Sequence, residues 1–72
     1  MEKVKIQIVE DELITGTLIC DLMNNAGYMA VGPDISYAEA RMTFDLEHPD
    51  ILIVDIFLFG KLDGINFAEY VN

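Results

Sequence analysis

Positive charge is scarce in this sequence. Four Lys plus Arg face thirteen Asp plus Glu, for a formal net charge of -9. A surface of that sign repels phosphate backbones and argues against direct binding of DNA or RNA. Cysteine occurs once, at Cys20, so no internal disulfide forms, and no Cys/His cluster has zinc spacing. Long hydrophobic runs are also missing: none approaches the roughly 20 residues of a membrane span. Met1-Glu2, followed by alternating Lys3, Val4, Lys5 and Ile6, is neither a signal nor a transit peptide. These absences predict a cytoplasmic, globular chain with no membrane contact. What is present is apolar: 53% of the 72 residues are hydrophobic and the mean hydropathy is +0.33, far from the composition of a disordered segment. A chain this short makes at most one small domain and buries only about 60% of its unfolded surface, so its core is marginal.

The apolar residues fall into alternating patterns. Lys3 to Val9 places Val4, Ile6 and Ile8 between polar residues, the period of two of a strand. From Asp11 or Glu12 to Ala26, the residues Ile14, Leu18, Leu22 and Ala26 recur every four positions, with Ile19 and Met23 widening the stripe. That spacing predicts an amphipathic helix with the stripe against the core, closed by Gly27 as a left-handed cap. Gly16 inside it costs about 1 kcal/mol relative to Ala. Tyr28 to Val31 reads as a short strand ending in a turn at Gly32-Pro33. Ser36-Tyr37-Ala38-Glu39 matches the capping box and predicts a second helix, running to about Glu47 before Pro49. Ile51 to about Phe57 lacks polar alternation, as in a strand covered on both faces. Asp63-Gly64 then opens a third helix, with Ile65, Ala68 and Val71 at helical spacing and Asp63 as its cap. Strand and helix alternate throughout, the pattern of an α/β fold with a parallel sheet.

One residue stands out in ILIVDIFLFG: Asp55, the single polar side chain of the run. An unpartnered buried carboxylate costs several kcal/mol, roughly, even after relaxation. In open parallel sheets ligands bind beyond the carboxyl ends of the strands. Glu10 and Asp11 lie just past the first strand, so neighbouring first and third strands would converge three carboxylates on one rim. Their mutual repulsion calls for a cation, and Mg²⁺, which takes one or two carboxylates and keeps several waters, is suited to such a site. Taken singly, each acid has an ordinary alternative: a strand-end Asp as a turn residue, and an acidic pair as a complement to a helix dipole.

Together these features resemble a known family. IVEDE, followed by HPDILIVDIFLFGKLDGI, is similar to the receiver domain of two-component response regulators: an acidic pair after the first strand, an acceptor aspartate in the third, and a D-G motif opening the third helix. Asp55 and Asp63 are eight apart, as in receivers reading D-I-x-L-x-G-x-x-D-G-I, with Phe59-Gly60 where a proline is usual. The resemblance covers all 72 residues. It implies a flavodoxin-like, doubly wound parallel sheet, truncated after the third strand and the start of the third helix, so that residues 1–72 form part of a receiver domain. It also implies that Asp55 takes a phosphoryl group from a histidine kinase. Mg²⁺ would be held by Asp11 and Asp55, by Glu10 directly or through water, and by the main-chain carbonyl of Phe57. The Ser or Thr of a fourth strand and the Lys of a fifth have no counterpart here, which implies impaired activity for this segment alone. The family's strand order leaves the third strand at an edge, and a homodimer through that strand is the expected consequence. His48 is expected as a surface turn residue.

Two other functions compete. One is a receiver-like interaction or dimerisation module that is not phosphorylated. The other is a nucleotide-binding or phosphohydrolase domain. The latter is poorly supported, because neither G-x-G-x-x-G nor G-x-x-x-x-G-K-S/T follows the first strand. Nor does a second Asp stand two residues after Asp55, as a haloacid-dehalogenase-like phosphatase requires.

Overall fold

In a computed structural model that describes residues 3–55 and 63–72, the predicted alternation is realised as β1 (Lys5–Val9), α1 (Leu13–Asn25), β2 (Met29–Asp34), α2 (Tyr37–Glu47), β3 (Ile51–Val54) and α3 (Asp63–Val71). The three strands form one parallel sheet in the order β2-β1-β3. Because β1 is central, its side chains alternate between two covered faces. Ile6 and Ile8 meet Cys20, Ile19 and Met23 of α1; Val9 meets Ala40 of α2 and Phe67 of α3. This is a doubly wound α/β arrangement, as the sequence predicted.

Local signals explain the helix boundaries. Ser36 caps α2, its Oγ accepting from the Glu39 N–H at 3.2 Å, while Glu39 Oε1 reaches one residue past the serine to the Ile35 N–H at 3.4 Å. The helix ends in His48, exposed and left-handed at φ 48°, whose N–H donates to Phe44 O. The adjoining turn is tied to β1 by Lys5, whose ammonium lies 3.1 Å from Glu47 Oε1 and whose N–H donates to Asp50 Oδ2 at 2.9 Å. Gly27, at φ 99°, follows α1 where a left-handed residue was expected.

Three expectations require correction. The Ile14, Leu18 and Leu22 stripe of α1 faces solvent, at 81, 58 and 54% exposure, and Ala26 is exposed beside it. Buried Gly16 and Cys20, with half-buried Ile19 and Met23, make the inner face instead. α1 carries apolar residues on both faces, so periodicity alone could not choose, and the smaller residues took the seat against β1 and β2. In α3 the inner face is Gly64, Phe67 and Val71, while Ile65 and Ala68 are exposed. β2 runs on through Gly32-Pro33 to Asp34; Gly32, at φ 114°, accommodates the kink, and the register with β1 shifts between Gln7 and Val9. Gln7, at a polar position of the alternation, is fully buried because α2 covers that face of β1. For β3, the expected extension to about Phe57 lies outside the described residues.

Phe67 has no exposed surface and meets Phe44 edge-on, with ring centroids 6.2 Å apart. Truncating such a side chain typically costs about 3–5 kcal/mol, whereas exposed positions tolerate change within about 0.5 kcal/mol. Urea unfolding followed by circular dichroism is therefore expected to show Phe67→Ala strongly destabilised and Leu18→Ser near wild type. A large loss in Leu18→Ser would contradict the orientation of α1.

Candidate functional site

The register of the two central strands builds the site. Val9 pairs with Val54, and the Asp55 N–H donates to Val9 O at 2.9 Å, so the residue after β3 sits beside the residues after β1. Glu10, Asp11 and Asp55, all half-buried, each offer a carboxylate oxygen, and these oxygens lie within 4.8 Å of one another. The convergence expected from the sequence is thus present. Phe57, expected to add a carbonyl, lies outside the described residues. Asp63 is the first residue of α3.

Glu10 is held from several sides. Its N–H donates to Asp34 O at 2.9 Å, and its Oε1 accepts from the Glu12 N–H at 3.0 Å. Glu12 in turn accepts from Thr15 Oγ1 at 2.7 Å. Burial pushes the Glu10 carboxyl above the ordinary glutamate range; the negative charges of Asp55 and Asp11 and a side-chain hydrogen bond with Asp11 add to the rise, and the Glu12 N–H opposes it. The donor set consists of oxygen alone and is crowded with like charge. That chemistry suits a hard divalent cation, which relieves the repulsion and accepts oxygen ligands.

Sequence reasoning missed a fourth acid, beside these three. Asp34 is 6% exposed and accepts from Gln7 Nε2 at 2.9 Å and Thr43 Oγ1 at 2.8 Å. Gln7 Nε2 also donates to Ala40 O, while Gln7 Oε1 is buried without a hydrogen-bond partner among the described residues. Burial raises the Asp34 carboxyl above the aspartate range, the two donors lower it, and Glu39 raises it. The available signal was Gln7 itself, a polar residue inside a strand that two helix layers cover.

Among known proteins, the chain is similar to a probable chemotaxis protein CheY of Rhizobium etli. The two are 30% identical over 71 residues, covering 99% of this chain and 54% of that protein. The chain therefore spans about half the length of this curated relative. No protein-family model matches the chain, and no solved structure matches it. No helix among the described residues is long and apolar enough to cross a membrane.

A carboxyl whose pKa is higher in the fold than in the unfolded chain holds its proton more tightly when folded. Its contribution is therefore greatest in acid and is lost as pH rises from the unfolded value, about 3.9 for Asp and about 4.3 for Glu, through the raised folded value. In metal-free buffer, Asp34→Asn and Glu10→Gln are each expected to flatten that decline in unfolding free energy. Unfolding profiles as steep as wild type would refute burial and repulsion as the cause.

Proposed function

We propose that the chain is part of a receiver domain of a two-component response regulator, and that Asp55 is the phosphoacceptor of its phosphorelay, taking a phosphoryl group from a histidine kinase. A carboxylate oxygen of Asp55 attacks phosphorus, the P–N bond of the phosphohistidine breaks, and the imidazole leaves with the bonding electron pair. The product is an acyl phosphate on Asp55. The observation that supports this reading most directly is the approach of Glu10, Asp11 and Asp55 at the ends of two adjacent parallel strands.

Each residue has a distinct task. Asp55 is carried on the backbone bond to Val9 O, which fixes the nucleophile against β1. Asp11 and Glu10 present the oxygens that hold Mg²⁺ together with Asp55, and the receiver resemblance adds the main-chain carbonyl of Phe57. When bound, Mg²⁺ neutralises charge on the phosphoryl oxygens, and phosphoryl transfer depends chiefly on positioning and such neutralisation.

A second reading, an interaction module that dimerises without phosphorylation, draws on β3. Among the described residues β3 pairs on one side only, with β1, and its Ile51 is exposed. Such an edge offers a template for strand pairing with a second copy. The two readings are alternatives that experiment separates.

Calorimetric titration is expected to show Mg²⁺ binding that Asp11→Asn weakens strongly. With acetyl phosphate and Mg²⁺, intact mass spectrometry is expected to show a slowly formed single phosphoryl adduct, absent in Asp55→Asn and in chelator. Absence of both binding and adduct, with a dimer retained in light scattering, would leave the interaction module as the function.

A further inference from the structure

Gly16 sits in the first turn of α1, where glycine costs about 1 kcal/mol relative to Ala. It is not among the residues with positive φ, so conformational freedom does not account for it. Space does. A Cβ at this position would lie 2.6 Å from Pro33 Cβ, 3.0 Å from Pro33 Cγ and 3.4 Å from Glu10 Cβ. The first of these is a distance that Cβ atoms essentially never show, and it falls on the base of a rigid pyrrolidine ring, not on the far end of a flexible chain.

We infer that Gly16 is a positioning residue for the acidic site: its missing side chain lets α1 seat on Pro33 and keeps Glu10 within reach of Asp11 and Asp55. This rests on the metal-site reading of those three acids and adds to it the close seating of α1 that leaves one of them in place. Glu10 is held at two points, by Asp34 O at its N–H and by the Glu12 N–H at its Oε1, and a Cβ on Gly16 would press on its Cβ at 3.4 Å. Pro33 has little room to retreat. Its neighbour Gly32 already lies so close to β1 that a Cβ there would be 2.5 Å from Ile8 O, and the next residue, Asp34, carries the carbonyl that holds Glu10. A methyl at position 16 therefore lifts the start of α1 or pushes back the end of β2, and either movement displaces Glu10.

The test compares wild type, Gly16→Ala and Thr17→Ala, all titrated with Mg²⁺ alone. Dissociation constants are read from the amide shifts of Glu10 and Asp55 in the folded molecules, and unfolding midpoints are measured without metal. Gly16→Ala is expected to weaken Mg²⁺ binding about tenfold or more, the scale seen when the supports of metal ligands are lost. Thr17→Ala, at an exposed position of the same helix, is expected to bind as wild type. A lowered metal-free midpoint with an unchanged dissociation constant would show a merely structural role and overturn the inference. Should Gly16→Ala not fold, Pro33→Gly carries the test, because it removes the ring without adding bulk. Weaker binding there supports the inference, and wild-type affinity overturns it. A wild type that binds no Mg²⁺ overturns the acidic-site reading itself.

Discussion

Repulsion among Glu10, Asp11 and Asp55 is the constraint on which the working end of this molecule depends. Parallel pairing of β1 and β3 in the Val9–Val54 register brings the backbones of these residues together, and one carboxylate oxygen of each lies within 4.8 Å of the others. The fold thus stores unfavourable electrostatic energy at one rim. A cation or a proton relieves it, and burial together with the charges of Asp55 and Asp11 raises the Glu10 carboxyl. Crowding of this kind suits a hard cation for the same reason that it disfavours three ionised carboxylates side by side.

The rim is supported from below by a layer that is polar where a core is usually apolar. Gln7, Asp34 and Thr43 join β1, β2 and α2 through side-chain hydrogen bonds, and the main chain of Asp34 holds Glu10. The kinked end of β2 therefore performs two tasks: it closes the buried network and it aligns the acidic residue above it. Gly32 makes the close approach to β1 possible, and Gly16 makes the matching approach of α1 possible.

Much of this was legible in the sequence. Alternation in Lys5–Val9, the Ser36 and Glu39 pair and the acids after two apolar runs gave the strand and helix order, the start of α2 and the three converging carboxylates. Each of those signals is local or rests on a topology that α/β chains share. What stayed hidden depended on choices between near-equal options or on distant partners. α1 has two apolar faces, and the one that seats Gly16 against Pro33 is turned inward, a fit that no periodicity reports. Gln7 and Asp34 are 27 residues apart, and nothing near either one announces the other. Gly32-Pro33 carries the marks of a turn, yet β1 pairing draws the chain on as a strand.

The outward stripe of Ile14, Leu18 and Leu22 lies on a molecule of net charge -9. Coulombic self-repulsion between copies opposes the sticking that such a stripe invites, and its range is only about 10 Å at 0.1 M ionic strength. Colloidal behaviour is thereby tied to electrolyte: dilute buffers keep the molecules dispersed, and concentrated salt screens them into contact through greasy helices.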